Sequence, residues 1–278
     1  MIDDREIIMK CKTSIYENAV ASFFQRVEKD YGRVLVQYWI KDHIQKAKEG
    51  LPPYLMEILN KKRKLSDSIT ALDLCCGWGE FVANCLINGF NCYGLDKDET
   101  IGTGNKLLEE NRLPNQLIRG DAFLLPFKKE TFDIVFSFSS LEHIQNPKGM
   151  FQNTYFVLKE NGTLFFSFPN AIYPVDGHTM LWGVPYLPHN LAEKYVKYRR
   201  KRKINDQWDV WYHKKRDVIG WLKTAGFKKI ENFIHFDNSK NKKSYLKRPI
   251  VNLAKKLSID PYAILSLKAP MVFMVAEK

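Results

Sequence analysis

The residues best suited to do chemistry lie where an apolar run meets a glycine-rich turn. Residues 71–82 read Ala-Leu-Asp-Leu-Cys-Cys-Gly-Trp-Gly-Glu-Phe-Val, a pattern typical of a strand, a turn and a helix. In open α/β sheets, ligands bind at the carboxyl ends of the strands, where glycines let the backbone approach them and a helix N-terminus faces them. Gly77 and Gly79 allow that approach, and Asp73 offers an acceptor. The turn therefore predicts a site for a nucleotide-like cofactor.

Two more acidic residues end the strands that come next. Residues 91–96 read as a second strand ending in Asp96, where a ribose diol can be bound through both hydroxyls. A third short strand ends in Asp121. Further strands are predicted at 132–138, 162–168, 228–236 and 271–276, with helices at 147–159 and 214–225. Dinucleotide-binding folds share the glycine turn and an acid at the end of the second strand. The third strand with Asp121 and the strands that follow it therefore distinguish this chain from those folds.

This succession resembles the class I S-adenosylmethionine-dependent methyltransferases over about residues 68–170. The stretches 125–127 (Leu-Pro-Phe) and 139–143 (Ser-Ser-Leu-Glu-His) are similar to the group of this family that includes quinone and small-molecule enzymes. The resemblance implies the cofactor S-adenosylmethionine and an α/β fold. That fold is a Rossmann-like, seven-stranded, mostly parallel sheet with helices on both faces and a terminal antiparallel hairpin.

The resemblance also implies which residues contact the cofactor. Asp73 and the turn 75–79 would contact its methionine part, Asp96 its ribose, and Asp121 with Ala122 its adenine. The implied cofactor-binding residues are Asp73, Cys75, Cys76, Gly77, Gly79, Asp96, Lys97, Asp121, Ala122 and Ser139. One position departs from the family pattern, because Cys75 stands where the first glycine of Gly-x-Gly-x-Gly is expected. This departure leaves open the backbone conformation of the turn.

The chain is expected to divide into four regions. They are an N-terminal helical cap at 1–67, a S-adenosylmethionine-binding core at 68–170, a substrate-binding insertion at 171–213, and a C-terminal completion of the sheet at 214–278 with a basic insertion at about 239–269. Residues about 14–48 have helical spacing, so the cap either packs beside the cofactor pocket or only covers the sheet. Specificity is expected in the two insertions, because class I enzymes add substrate-binding elements there.

The candidate catalytic residues are centred on the first insertion. Asp176 and His178 can form an acid-oriented imidazole, which takes a proton from a hydroxyl as the methyl group moves. The alternative is that His178 only ties the loop together. His143, which follows Glu142, is a further catalytic candidate. The candidate substrate-binding residues are Tyr173, Trp182, Tyr186, His189, Arg199 and Arg200.

Several other chemistries are not expected. Spacing along the chain shows no cluster of His, Cys, Asp and Glu typical of metal ligands, so no metal is predicted. Cytosine C5 methylation needs a cysteine nucleophile near the fourth strand, and no cysteine follows Cys92. What remains is direct displacement on an oxygen, a simple nitrogen or a stabilised carbanion, to which the protein contributes alignment and deprotonation.

Positive charge is concentrated in the C-terminal part of the chain. Residues 1–170 hold 21 Lys and Arg against 22 Asp and Glu, whereas residues 171–278 hold 22 against 9 and so carry all of the net +12. Such a surface suits phosphates or an anionic membrane. The run 197–203 suits RNA phosphates. The pattern over 246–257 is typical of a basic amphipathic helix on an anionic membrane, or of a solvated helix packed on the sheet.

These features favour S-adenosylmethionine-dependent methyl transfer to a hydroxyl of a small-molecule, glycan or lipid-linked anionic acceptor. The run 176–188 also resembles a segment of methyltransferases encoded with bacterial and archaeal cell-surface glycan pathways. RNA methylation that uses the basic half is the first alternative, and cofactor binding without catalysis is the second. Five cysteines without a Cys-x-x-Cys pair, and no signal-peptide pattern, predict a cytoplasmic protein or one peripheral at the membrane.

Overall fold

The structure is a computed structural model, and it describes residues 9–31, 33–63, 69–200, 209–232 and 269–278. Contacts between Cα atoms separate the chain into two compact units. The first unit is Met1–Ser137 with Phe156–Gly162, and the second is Phe138–Tyr155 with Thr163–Lys278. The four regions expected from the sequence stay a prediction.

Seven strands form one mixed sheet. They are β1 (Thr70–Leu74), β2 (Asn91–Asp96), β3 (Leu117–Arg119), β4 (Phe132–Phe138), β5 (Leu158–Pro169), β6 (Lys229–Asn232) and β7 (Met271–Glu277). Their order is β3-β2-β1-β4-β5-β7-β6. The pairs β1–β2, β1–β4 and β2–β3 are parallel, whereas β5–β7 and β6–β7 are antiparallel. The Rossmann-like sheet with a terminal antiparallel hairpin is therefore confirmed.

Eight helices accompany these strands in the described part of the chain. They are α1 (Ser14–Tyr31), α2 (Arg33–Glu49), α3 (Pro53–Arg63), α4 (Glu80–Ile87), α5 (Ile101–Glu110), α6 (Lys148–Val157), α7 (His189–Arg200) and α8 (Lys215–Ala225). The helical spacing predicted for 14–48 corresponds to α1 and α2. None of the described helices combines the length and the apolar character that crossing a bilayer requires.

Local sequence explains where the elements begin and end. The strands β1 and β4 are buried along most of their length, as parallel strands covered on both faces require. β5 begins at Leu158, earlier than the predicted residue 162, because the polar residues 159–161 hide the continuation of the strand. The helix α8 ends at Gly226, whose φ is 112°, and a Cβ there would lie 2.8 Å from the Tyr155 ring. The predicted strand residues 233–236 and nearly all of the basic insertion lie outside the described residues.

Candidate functional site

The glycine turn after β1 has the backbone of a ligand-binding loop. Cys75, Gly77 and Gly79 have φ values of 63°, 54° and 74°, all in the left-handed region. A Cβ added to Gly77 would meet nothing within 4 Å, whereas one added to Gly79 would lie 2.7 Å from the Leu117 side chain. Gly77 therefore borders open space, and Gly79 permits close packing. Cys75 stands at the first glycine position of the family pattern and adopts a left-handed backbone conformation. That conformation costs free energy for a residue with a Cβ atom.

Negative charge converges on this turn. Asp73 is only 6% exposed, and burial, together with Asp96 and Glu80, raises its pKa to about 8. Asp96 accepts the Gly77 N–H through Oδ2 at 2.8 Å and the Asp98 N–H through Oδ1 at 2.9 Å. A cation beside Asp73 would offset this repulsion. S-adenosylmethionine carries a sulfonium and an ammonium group, so the carboxylates and the open space at Gly77 fit that cofactor.

The remaining residues predicted for the cofactor in the first unit vary in exposure. Asp121 is exposed, and its Oδ1 accepts the Phe123 N–H at 2.8 Å. Ala122 and Cys76 are buried. Lys97 is exposed, and its carbonyl oxygen accepts a hydrogen bond from Arg119 Nε at 3.1 Å. These contacts fix the loops after β2 and β3 and leave the carboxyl of Asp121 at the surface.

An aromatic layer from α1 and α2 packs against the glycine turn. The Trp78 ring stacks on Phe24 with centroids 5.2 Å apart and lies 4.6 Å from His43. Glu80, which follows the turn, is 2.6 Å from His43 Nδ1 and accepts the Tyr16 hydroxyl at 2.8 Å. Sequence reasoning assigned no role to His43. The only available signal was an aromatic residue inside the glycine turn, which had to pack against something.

In the second unit, a single buried carboxylate organises the loop that follows β5. Asp176 is 0% exposed and accepts the Thr179 N–H at 2.6 Å, as well as the hydroxyls of Thr179 and Tyr212. His178 Nδ1 lies 3.4 Å from Asp176 Oδ1, as an acid-oriented imidazole requires. Burial acts to raise the pKa of Asp176, but the hydrogen bonds from His178, Thr179 and Tyr212 outweigh it and lower the pKa to about 2. Tyr212 had no sequence signal.

A second imidazole lies next to the first. The rings of His143 and His178 have centroids 5.3 Å apart and are nearly perpendicular, at 88°. His143 Nδ1 lies 3.0 Å from Asp209 Oδ2, so each ring has a carboxylate at the same nitrogen. Asp209 carried no sequence signal. The structure therefore brings both predicted catalytic histidines together.

Glu142 completes a cluster that spacing along the chain did not reveal. Candidate ligand atoms of Glu142, His143 and His178 all lie within 4.8 Å of one another. Glu142 is 2% exposed, and its Oε2 has no hydrogen-bond partner among the described residues. Burial, the largest influence, raises the pKa of this carboxyl. The expectation of no metal rested on sequence spacing, which cannot show that the fold brings His178 to the Glu142–His143 pair.

Apolar side chains are exposed on the loop that carries His178. Met180 is 72% and Trp182 68% exposed, and Ile172 and Tyr186 are also at the surface. The Tyr186 hydroxyl donates to the Ile172 carbonyl at 2.6 Å, and its ring lies 6.4 Å from that of Trp182. Two of the predicted substrate residues, Trp182 and Tyr186, therefore belong to one apolar surface.

The other predicted substrate residues are more scattered. Tyr173 is half-buried, and its N–H donates to the Asn170 carbonyl at 2.9 Å. His189 stacks on Trp211 with centroids 3.7 Å apart. Arg199 is exposed on α7, and the Arg200 side chain lies outside the described part of the chain. Ser139, predicted to contact the cofactor, has a φ of 53°, and its N–H donates to Ser167 Oγ at 3.2 Å.

Comparison with curated proteins gives distant relatives that share part of this chain. The demethylmenaquinone methyltransferase of Listeria welshimeri is 27% identical over 157 residues, which cover 55% of this chain and 63% of that protein. The enzyme of the same name from Geobacillus is 26% identical over 151 residues, which cover 52% of this chain and 61% of that protein. The chain thus spans about three fifths of the length of the curated relatives that it matches.

A solved structure supports the fold, and one protein family matches the part of the chain that contains the glycine turn. The solved structure of the [4+2]-cyclase SpnF has a TM-score of 0.50 and 14% identity, covering 81% of this chain and 80% of that one, which supports the fold alone. Residues 72–166 match the family described as a methyltransferase domain. That range begins in β1 and ends in β5, and it includes the glycine turn, Asp96, Asp121 and the Glu142–His143 pair. Residues 72–166 are therefore a methyltransferase domain of the class I S-adenosylmethionine-dependent family.

Proposed function

We propose that this protein transfers a methyl group from S-adenosylmethionine to a hydroxyl of a small amphipathic acceptor. The observation that carries the proposal is the buried Asp73, which interacts with Glu80 and with Asp96, the acceptor of the N–H of Gly77, where the backbone borders open space. A cationic ligand stabilises that arrangement, and the family match identifies S-adenosylmethionine as the cofactor of the domain. When bound, the cofactor supplies an electrophilic methyl group on a sulfonium.

The protein's own residues divide the work of holding the cofactor. Asp73 and the turn 75–79 bind the methionine part, where the carboxylate offsets the positive charge. Asp96 binds the ribose hydroxyls with the lone pairs that its two backbone hydrogen bonds leave, since each carboxylate oxygen can accept more than one bond. Asp121 and Ala122 bind the adenine, through the exposed carboxyl of one and the apolar side chain of the other.

The acceptor is proposed from the second unit. His178 and His143 act on its hydroxyl, and His178 accepts the proton that the oxygen loses as the carbon–oxygen bond forms. Asp176 is a positioning residue, because it holds His178 Nδ1 and so directs Nε2 toward the acceptor. A base within hydrogen-bond reach of the hydroxyl typically contributes about 10²- to 10⁴-fold to the rate.

The exposed apolar side chains beside His178 favour an acceptor with an apolar body. Trp182, Tyr186, Ile172 and Met180 provide a surface on which a ring or a lipid chain can pack. The curated relatives are named for demethylmenaquinone, and that name supports a small apolar acceptor. The exposed Arg199 and Arg216 suit phosphate on a lipid-linked acceptor, and an anionic membrane surface from which that acceptor is taken.

A labelling experiment tests the proposed function. The full chain is incubated with methyl-labelled S-adenosylmethionine and a cell extract, and label is counted in organic, aqueous and RNA fractions. Label in the organic fraction is expected, and Asp73→Asn should reduce it at low cofactor concentration. Nuclease-sensitive label would instead support RNA methylation. Cofactor binding with no label in any fraction would support the non-catalytic alternative and contradict the proposal.

A liposome experiment tests the membrane proposal separately. Vesicles with anionic lipid should retain the chain more strongly than neutral vesicles, and added salt should release it. The sequence predicts membrane contact for residues 245–267, which lie outside the described residues. To test this segment, the lysines at 247, 255 and 256 are changed to glutamine, which should weaken retention on the anionic vesicles. Equal retention on neutral and anionic vesicles would contradict membrane contact through charge.

A further inference from the structure

We propose that Glu142, His143 and His178 bind a divalent cation of borderline softness, such as Zn²⁺ or Co²⁺, which holds the acceptor hydroxyl. The proposal rests on the proposed function for the role of the cation, but not for its binding. Two imidazoles and one carboxylate form a nitrogen and oxygen donor set that suits these ions better than Mg²⁺ or Ca²⁺, which prefer oxygen alone. Three protein ligands leave coordination positions for the acceptor and water.

The geometry of the cluster is close to that of a bound site. Its candidate ligand atoms lie within 4.8 Å of one another. Bonds of about 2.1 Å at tetrahedral angles place two ligands about 3.4 Å apart. The widest pair therefore needs to approach by up to about 1.4 Å, a shift within the reach of side-chain rotation. His143 and His178 are both partly exposed, so a cation can reach them from solvent.

The surroundings of the two histidines match those of metal ligands. A ligating imidazole usually has its other nitrogen held by a carboxylate, a carbonyl or water, which fixes its orientation and raises its basicity. His178 Nδ1 has Asp176 at 3.4 Å, and His143 Nδ1 has Asp209 at 3.0 Å. With Nδ1 of each ring next to a carboxylate, Nε2 is the nitrogen left for the cation. Two such pairs on adjacent rings go beyond what holding one loop in place requires.

Glu142 provides the independent observation. Its side chain is buried, and its Oε2 lacks a hydrogen-bond partner within the described ranges. A buried carboxylate oxygen without a partner costs free energy, which a hydrogen bond or a cation repays. The residue is held in place by its neighbours, because the Glu142 carbonyl accepts the Trp211 N–H at 2.7 Å. The backbone of Glu142 is therefore fixed, its carboxylate is buried, and Oε2 is free to bind a cation.

A cation at this place changes how the acceptor oxygen is activated. Coordinated to the ion, the hydroxyl loses its proton to solvent more readily, because the ion stabilises the negative oxygen. The oxygen then forms its bond to the methyl carbon, the carbon–sulfur bond breaks, and the electron pair stays on sulfur in S-adenosylhomocysteine. His178 serves as a ligand in this route and does not itself take the proton. Direct proton transfer to His178 belongs to the cation-free route.

Cobalt binding tests the site in the full chain, with any affinity tag removed. Wild type should bind one Co²⁺ and show the visible absorption of nitrogen and oxygen ligands without the near-ultraviolet band of a thiolate. Glu142→Gln keeps the shape of the side chain and should weaken binding at least tenfold, since a lost ligand costs no less than a lost partner of a ligand. Asp209→Asn, at an exposed position that does not endanger folding, should weaken it by about 10- to 100-fold.

Glu109→Gln is the matched control, because Glu109 is an exposed acid on α5 that pairs only with Lys106 in the part of the chain described here. It should bind Co²⁺ as wild type does. Absence of saturable Co²⁺ binding to wild type, or equal binding by Glu142→Gln and wild type, would overturn the proposal. Labelled methyl transfer is measured on the same samples with and without a chelator. Methyl transfer by a protein that does not bind Co²⁺ would contradict the cation site alone. Co²⁺ binding without methyl transfer to any fraction would contradict the proposed function alone.

Discussion

Cofactor binding should release a proton from Asp73. Burial, Asp96 and Glu80 raise the pKa of this carboxyl to about 8, so it is mostly protonated at pH 7 in the cofactor-free protein. The thiols of Cys76 and Cys92 also interact electrostatically with it. A cationic ligand favours the carboxylate and expels the proton. In the cofactor-free protein the raised pKa makes stability fall as pH rises from about 4 to about 8, because the unfolded chain loses this proton first.

The size of the effect follows from the distance between that pKa and the assay pH. With a pKa of about 8, about nine tenths of the protein carries the proton at pH 7 and about one tenth at pH 9. If only the carboxylate form binds tightly, the affinity should strengthen about tenfold from pH 7 to pH 9, or about 1.4 kcal/mol. Below pH 7 the affinity should fall by a further factor of about ten for each pH unit.

Calorimetry in two buffers that differ in ionisation enthalpy counts the protons directly. At pH 7, wild type should release about 0.9 proton per cofactor from this group. Asp73→Asn mimics the protonated carboxyl, so at pH 7 it should bind at least about 100-fold more weakly than wild type and release no proton from this position. The amino group of the cofactor contributes equally to both proteins and is removed by subtraction. Equal proton release by wild type and Asp73→Asn would refute the reasoning.

Three further substitutions, two of them paired with a comparison variant, test the packing of the protein. Gly104→Ala should destabilise the fold by about 1–3 kcal/mol in urea titration, because its Cβ would lie 2.5 Å from the Trp78 carbonyl oxygen. Gly102→Ala on the same helix meets nothing within 4 Å and should be neutral or stabilising by up to about 1 kcal/mol, so a loss as large as that of Gly104→Ala would contradict the steric argument. Cys75→Gly removes the strain of a left-handed Cβ and should raise the thermal midpoint by the equivalent of up to about 1 kcal/mol, and a lower midpoint would show that the thiol is needed for packing. Tyr212→Phe removes a hydrogen bond to the buried Asp176 and should cost about 1.5–3 kcal/mol, whereas Tyr186→Phe, at an exposed position, should cost less than 1 kcal/mol.

The sequence was sufficient for the sheet and for the glycine turn because both depend on local patterns. Apolar runs mark β1, β2 and β4, and the predicted bounds of β2 and β4 agree with the structure to the residue. Asp73, Gly77 and Asp96 follow from the same patterns, since each lies at or just after the end of a strand. Backbone periodicity and turn chemistry operate within a few residues, so one sequence displays them directly.

The acceptor side could be predicted only in part, because its contacts join distant segments. Asp176 and His178 are two residues apart and were paired from the sequence. Their partners Tyr212 and His143 come from other segments, and Asp209 reaches His143 from a third. No local pattern distinguishes a tyrosine that will donate to a buried carboxylate from one at the surface. The same reason explains why His43, beside Glu80, escaped notice.

Asp176 joins the loop after β5 to the segment around Tyr212, so that the two segments depend on each other for their structure. Thr179, His178 and Tyr212 all depend on one carboxylate, although Tyr212 lies more than thirty positions along the chain. A chimera that exchanged residues 174–183 alone for those of another enzyme would leave the Tyr212 hydroxyl without its hydrogen-bond acceptor, or would bury a new side chain against it. Anyone re-engineering acceptor choice should therefore transplant the loop together with residues 209–213, so that the Tyr212 hydroxyl keeps its acceptor, and should retain Glu142 and His143, which residues 209–213 contact.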